Sequence, residues 1–295
     1  MTQIAENPIG QDQIAQDRNR PAQAPAAGRR PSWIRPAFAL PVTAVVAVAA
    51  VVTGVTLGGH RGGQAGSADP QAAVLLERVA QVASTQPALD PRADQFIFTE
   101  KKVTDQGPPP RTTSGPAPGG PRGTFVRRDW TSPDGGKHWV SELREGQKAD
   151  EFDVVNGTGG ATTYNAVKGL PADPDALLRK FRHDAEGKGD GPDQEAFVLI
   201  GDLVMEGYPL PKLNAALFRA AARIPGVAVL NAAVDPAGRP GIGIARTGSS
   251  GGRTEWLFSK DYTYLGEREV SRGGKETYLT VHLRTAVVDE LKQLP

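Results

Sequence analysis

The 295-residue sequence contains no cysteine and only two methionines. Without cysteine the chain cannot form a disulfide, a zinc knuckle, a thiolate nucleophile, an iron–sulfur cluster or an acylated-cysteine anchor. An excess of charge of either sign is also missing, because 34 lysines and arginines face 33 aspartates and glutamates. Domains that bind nucleic acid normally carry a basic excess. We therefore predict no nucleic-acid partner.

Long uncharged runs are scarce, and the longest one covers residues 37–58, where alanine and valine dominate. A helix of this length rises about 33 Å, which is enough to cross the hydrocarbon core of a bilayer. Five arginines precede the run, whereas only Arg61 follows it closely. Because basic residues favour the cytoplasmic side, we predict a single-pass protein of the cell membrane. Its N-terminus is then cytoplasmic and its C-terminal domain extracytoplasmic.

A cleaved secretory signal is the alternative for the same segment. Signal cores usually span about 7 to 15 apolar residues and end at a small-residue cleavage site. This run is longer, and no clean Ala-x-Ala site follows it at the right distance. Arg29-Arg30 is a twin-arginine pair, but the following PSWIR departs from that signal. The pattern favours a span, so the lipid bilayer is the predicted partner of residues 37–58.

Composition divides the rest of the chain into three parts. Residues 1–36 are rich in Gln, Ala and Pro without apolar periodicity, which predicts a disordered cytoplasmic tail. Residues 59–69 have the glycine-rich composition of a flexible linker. Residues 70–295 carry the remaining periodic segments and are predicted to form one extracytoplasmic domain.

The periodic segments of residues 70–295 predict an α+β domain. Asp69-Pro70 starts a helix that ends before Pro87, and three further helices are predicted near 173–187, 194–206 and 211–224. Alternating segments predict strands at 95–103, 123–131, 137–144, 151–155 and 161–165, with an SPDGG hairpin turn between the second and third. About five more strands follow Pro225-Gly226 as a meander. We expect a curved antiparallel sheet of about eight strands with the helices on one face.

A nucleophile-elbow pattern occurs at Gly248–Gly252, with Ser250 at its centre and Asp261 and His282 in the nominal hydrolase order. That motif requires a turn from a strand into a helix. Here strands are predicted on both sides, so a hairpin loop is favoured over a serine hydrolase.

No metal site is predicted. Residues 184–195 imitate a calcium loop, but Lys188 occupies the fifth position, where a ligand oxygen is needed. The four histidines, His60, His138, His183 and His282, lack any metal-binding spacing.

Four aromatic residues are the candidate ligand-binding residues. Trp130 and Trp139 flank the SPDGG hairpin, and Trp256 and Phe258 share one face of a later strand. Core and cross-strand packing is one interpretation. The other is that some of them line a concave apolar pocket on the sheet face that the helices leave uncovered.

Several stretches resemble the extracytoplasmic domain of a family of uncharacterised actinobacterial single-pass membrane proteins, often encoded beside extracytoplasmic-function sigma factors. The resemblance covers residues 70–295 and is carried by LPADPDALLRKF, PLPKLNAALFRAAARIPGVAVLNAAVDPAGRPGIGIAR, YLGEREV and LRTAVVDELKQLP. It implies membrane anchorage and a part in envelope signalling, but no reaction. It does not include residues 1–36, where many members carry a helical segment instead.

The sequence holds no coherent catalytic set and predicts no cofactor. We therefore predict a non-enzymatic, membrane-anchored protein whose extracytoplasmic domain binds a ligand or an envelope or signalling protein, within a sigma-factor circuit if the resemblance holds. A carrier of lipid or another apolar ligand is the first alternative. A serine hydrolase is the second.

Overall fold

The computed structural model describes residues 69–107, 111–112, 115–116, 122–154, 163–230, 233 and 240–295. The predicted tail, the predicted membrane span and the linker up to residue 68 lie outside the described residues. Within these ranges, no helix has both the length and the apolar character needed to cross a bilayer.

Five helices are described, and their N-termini follow the capping signals of the sequence. They are α1 (Pro70–Ser84), α2 (Tyr164–Lys168), α3 (Pro174–Asp184), α4 (Pro192–Glu206) and α5 (Pro211–Ala221). The Asp69 carboxylate accepts a hydrogen bond from the backbone N–H of Gln71, and that of Asp173 accepts one from Ala176. Such caps satisfy N–H groups that have no partner within the helix.

The strand predicted at 161–165 is wrong where the structure describes it. Thr163 caps α2, because its hydroxyl oxygen accepts a hydrogen bond from the backbone N–H of Ala166 at 3.2 Å. A threonine before a short apolar run suits either a strand or a helix start, and the cap determines the outcome here.

Nine of the eleven described strands form one antiparallel sheet, in the order β6-β5-β4-β1-β11-β10-β9-β8-β7. The strands are β1 (Phe96–Asp105), β2 (Arg111–Thr112), β3 (Gly115–Pro116), β4 (Gly123–Thr131), β5 (His138–Leu143), β6 (Asp150–Asp153), β7 (Ala228–Leu230), β8 (Ile242–Thr247), β9 (Arg253–Phe258), β10 (Tyr264–Val270) and β11 (Glu276–Val288). The expected α+β class and the C-terminal meander are confirmed. The sheet has one strand more than expected, and β2 pairs only with β3.

The two faces of the large sheet are covered differently. Ile244, Trp256 and Phe258 point to one face and share a buried cluster with residues of all five helices. We call this side the helix face. The opposite side carries Phe98 and Trp130, whose cluster contains no described helical residue. We call it the helix-free face.

Helix α4 packs closely against the middle of the helix face. The rings of Phe197 on α4 and Trp256 on β9 stack with centroids 4.0 Å apart and an interplanar angle of 7°. A Cβ atom added at Gly201 would lie 2.7 Å from the Trp256 Nε1 atom and 2.6 Å from the Glu267 Oε2 atom. These approaches are shorter than van der Waals contact, so position 201 requires glycine.

Gly201→Ala therefore tests this packing. Although alanine favours helices, we expect the added methyl group to overpack the interface and lower the free energy of unfolding by about 1 to 3 kcal/mol. Gly169→Ala is the control, because its nearest added contact is Ala166 O at 3.4 Å, and it should change stability by less than about 0.5 kcal/mol. Urea unfolding of the purified chain measures both. Equal stability of the two variants would contradict the packing.

Candidate functional site

An aromatic row lies on the helix-free face near the β6 edge. Trp130 on β4 stands opposite Phe98 on β1 and opposite Trp139 on β5 in the strand registers. The Phe98 and Trp130 rings are 5.2 Å apart and tilted by 55°. Opposed aromatic side chains on antiparallel strands stabilise the pairing. Together with Phe96 and Val288 these three side chains form a small apolar cluster.

Residues 289–295, which we call the C-terminal segment, return over this aromatic row. The Trp130 indole donates a hydrogen bond to the Gln293 carbonyl at 2.6 Å. The Lys292 Nζ atom lies 3.7 Å from the centre of the Trp139 ring, within the range of a cation–π contact. Arg284 on β11 donates a hydrogen bond to the Pro295 carbonyl at 2.9 Å. The segment is thus held by a few contacts along its length.

Large apolar side chains remain exposed beside the aromatic row. Leu291 and Leu294 of the C-terminal segment are 39% and 52% exposed, and Leu143 at the end of β5 is 37% exposed. Leu143 is opposite Val126, so it points to the helix-free face as Trp139 does. Exposed leucines on the same side of the sheet as the buried Trp130 and the half-buried Trp139 are the kind of apolar surface that protein-binding sites use.

The helix face carries a different feature, a network of buried charges on β1, β4 and β5. The Arg127 guanidinium donates hydrogen bonds to Asp129, the shortest at 2.7 Å, and to Glu142 at 3.0 Å. The His138 Nε2 atom lies 2.8 Å from Asp129 Oδ1, and the Lys101 amine lies 3.7 Å from Asp129 Oδ2. The Lys101 side chain has no exposed surface. Arg127, Asp129 and Glu142 are each 3% exposed, and His138 is 19% exposed, so the network lies mostly inside the domain.

Burial and neighbouring charges shift the titration of these groups. Burial lowers the pKa of Lys101 to about 7, although Asp129 partly offsets the shift. Burial alone would raise the pKa of Asp129, but the charges of Arg127 and Lys101 hold it well below its ordinary value. Burial raises the pKa of Glu206, at the end of α4, well above its ordinary value. Burial also lowers the pKa of His282 well below its ordinary value, and Lys101 adds to that shift.

The four candidate aromatic residues do not meet on one face. Trp256 and Phe258 have no exposed surface and pack under the helices, where core packing is their observed role. Trp130 and Trp139 lie together on the helix-free face, as the pocket interpretation requires. For these two, ligand binding stays a prediction.

The residues of the predicted hydrolase order are engaged in other contacts. Ser250 lies in the turn between β8 and β9, where its hydroxyl donates a hydrogen bond to Asp190 Oδ2 at 2.6 Å. Asp261 accepts a hydrogen bond from the Ser259 hydroxyl. His282 lies on β11, in the strand register opposite Lys101. Ser250 therefore lies in a hairpin turn between two strands, and not in a turn from a strand into a helix.

The calcium-like loop holds a lysine at its centre. The Lys188 amine donates a hydrogen bond to the Asp184 carbonyl at 2.6 Å, and the Asp190 carboxylate accepts hydrogen bonds from Ser249 and Ser250. In the part of the chain that the structure describes, no three His, Asp or Glu side chains are grouped in a way that could hold a metal ion.

Comparison with known proteins gives a distant structural likeness. No protein-family model matches the chain, and no curated protein matches it significantly. The crystal structure of MucB aligns with a TM-score of 0.29 at 10% identity, covering 74% of this chain and 59% of that one. The Pseudomonas aeruginosa MucA/MucB complex gives 0.28 at 11% identity, covering 75% and 59%. MucB in complex with MucA(peri) gives 0.27 at 10%, covering 74% and 56%.

This chain therefore spans less than two thirds of the MucB chains that it matches. Likeness at these scores carries no argument about function. The resemblance to the actinobacterial family stays a prediction.

The buried amine of Lys101 predicts a pH dependence of stability. Between pH 7 and the ordinary lysine pKa, the unfolded state binds a proton that the folded state does not, so stability rises with pH. We expect a rise of about 2 kcal/mol from pH 7 to pH 9 from this residue. Lys101→Met should remove that rise, as urea unfolding at the two pH values would show.

Lys102→Met is the matched control, because Lys102 is the neighbouring residue on the same strand and its side chain is exposed. This control should keep the pH dependence of the unsubstituted chain. If Lys101→Met kept it as well, the burial of a titrating amine at position 101 would be refuted.

Proposed function

We propose that residues 70–295 form a non-enzymatic extracytoplasmic domain that binds a protein of the cell envelope through the helix-free face. Residues 37–58 then anchor this domain in the bilayer. A role in sigma-factor signalling follows from the family resemblance and is part of the proposal. The carrying observation is that Leu143, on the face that carries Trp130 and Trp139, and Leu291 and Leu294, in the segment that covers these two tryptophans, are all exposed.

The different covering of the two sheet faces supports this location. On the helix face, five helices contribute to one buried cluster with the strands. On the helix-free face, the cluster around Phe98 and Trp130 is small and includes no residue of a described helix. A protein partner that covered the exposed leucines would remove apolar surface from water, the main favourable term in most associations. Aromatic and aliphatic side chains at the centre of a surface are also the usual anchors of a protein interface.

An apolar ligand is the second candidate, and the C-terminal segment favours it. This segment covers the Trp130–Trp139 pair through a cation–π contact of Lys292 and a hydrogen bond to the Gln293 carbonyl. If the segment moved away, the aromatic row would become a site for a lipid or another apolar molecule. Mass spectrometry of the purified chain would then detect a bound apolar molecule, and Trp139→Ala would lose it.

A photo-crosslinking amino acid at position 143 tests the protein-binding proposal in intact host cells. Val74 on α1 is 59% exposed and provides the control position. We expect one defined protein adduct from position 143 and none from position 74. Lipid adducts alone would favour the second candidate. Equal adducts from both positions, or no adduct from either, would contradict the proposed surface.

The non-enzymatic part of the proposal has its own test. A fluorophosphonate probe should leave the chain unlabelled because Ser250 hydrogen-bonds to Asp190 in a hairpin loop. Labelling that Ser250→Ala abolishes would identify a serine hydrolase and overturn this part.

The predicted topology can be tested because the chain has no cysteine of its own. Two single-cysteine variants serve the test. Lys212→Cys places the thiol at an exposed position of α5, and Gln11→Cys places it in the predicted N-terminal tail. A membrane-impermeant maleimide should label position 212 in intact protoplasts and position 11 only after permeabilisation. Labelling in the reverse order would refute the orientation.

A further inference from the structure

We infer that the helix-free face binds an acidic and aliphatic segment of its protein partner, with Lys102 at the centre of the contact. This inference rests on the proposed function and names the chemistry of the partner. It follows from the arrangement of side chains across four neighbouring strands.

Four residues form a row across strands β5, β4, β1 and β11. Val126 is opposite both Leu143 and Lys102, and Lys102 is opposite Val281. At the usual spacing between strands, this row is about 14 Å long. Lys102 and Leu143 are exposed, and Val126 and Val281 are half-buried. The surface therefore offers aliphatic contacts on both sides of one ammonium group.

Lys102 has no ion-pair partner among the described residues, whereas Arg128, Arg253 and Arg268 on the same face are paired, and Arg284 donates a hydrogen bond to the Pro295 carbonyl. Arg128 pairs with Glu100 at 2.6 Å. Both Arg253 and Arg268 pair with Glu255. Lys102 is thus the only charged residue of this four-residue row, and a partner could neutralise its charge.

Two of the paired carboxylates, Glu255 and Glu100, lie deeper than the arginines that they pair with, whereas Glu276, 3.9 Å from Arg268, is the more exposed partner of that pair. The Glu255 side chain has no exposed surface, whereas the Arg253 and Arg268 side chains are 39% and 19% exposed. In the other pair, Arg128 is 30% exposed and Glu100 is 16% exposed. At the Arg128–Glu100 and Arg253–Glu255 pairs, an approaching partner therefore meets the positive charge first. Complementary charge on the partner is negative.

The β6 edge favours a narrow protein segment over an anionic membrane surface. Glu151 and Asp153 are exposed on this edge strand and point to the helix-free face, opposite Ser141 and Trp139, and Glu151 also pairs with Lys292 of the C-terminal segment at 3.2 Å. A flat anionic surface would approach these carboxylates together with Lys102 and would be repelled by them. A single segment can follow the row around Lys102 without covering the edge.

The test uses the full chain in nanodiscs of neutral phosphatidylcholine and three fluorescent peptides of equal length. One alternates Leu and Glu, one Leu and Lys, and one Ser and Glu. Fluorescence anisotropy should show that the Leu–Glu peptide binds at least about tenfold more tightly than either of the others. Added salt should weaken this binding because part of it is electrostatic.

Two substitution pairs locate the contact on the chain. Lys102→Glu should weaken binding of the Leu–Glu peptide by about tenfold or more, since attraction becomes repulsion. Lys212→Glu, on the outer surface of α5, should leave binding unchanged. Leu143→Ser should weaken binding, whereas Val74→Ser on α1 should not. Each altered residue is exposed, and unchanged melting temperatures would verify that the variants fold.

The inference is overturned if the Leu–Lys peptide binds as well as the Leu–Glu peptide, or if Lys102→Glu behaves as Lys212→Glu does. It is also overturned if phosphatidylglycerol vesicles displace the Leu–Glu peptide through Lys102, because the occupant is then a membrane surface. A protein cross-link from position 143 without Leu–Glu peptide binding would refute the inference and leave the proposed function intact. Absence of that cross-link would count against the proposed function itself.

Discussion

Alternation of side chains along each strand is the constraint on which the rest of this structure depends. Every strand residue belongs to one face of the sheet, and the two faces have different surroundings. Residues such as Trp256 and Phe258 pack under helices, and their own strand neighbours point to the helix-free face. A shift of one residue in the pairing would exchange the two sets. The register of the sheet is therefore coupled both to the core and to the proposed binding surface.

The buried charge network strengthens this coupling in strands β1, β4 and β5. Lys101 on β1 and Arg127 and Asp129 on β4 all point to the helix face, where Glu142 of β5 completes the pairing. Burying a charge is costly unless it is paired, and a paired network adds little net stability. A shift of one residue would separate these partners and move Phe98 and Trp130 from the helix-free face to the helix face. We therefore interpret the network as a device that specifies register, and hence the position of the Trp130–Trp139 pair.

Much of the fold could be predicted from local sequence signals, because helix caps and turns depend only on residues close together in the sequence. The caps at Asp69 and Asp173, the SPDGG hairpin and the C-terminal meander all follow from short patterns, and the structure confirms them. The pairing of β1 with β11 could not be predicted in this way, since Phe96 pairs with Val288 across nearly the whole domain. The division of the candidate aromatics between two faces depends on that same long-range pairing. The charge network was missed because Lys101, Arg127 and Asp129 look like ordinary solvent-facing charges in alternating strands.

Protection of apolar side chains in the native envelope tests the central claim, that the helix-free face is the binding surface. Hydroxyl-radical footprinting can compare side-chain oxidation in intact cells with that of the purified chain. We predict that Leu143, Leu291 and Leu294 become protected in cells, whereas Val74, the most exposed large apolar residue described, keeps its reactivity. Protection of Val74 with unchanged reactivity of the three leucines would place the binding surface on the helices and contradict the account.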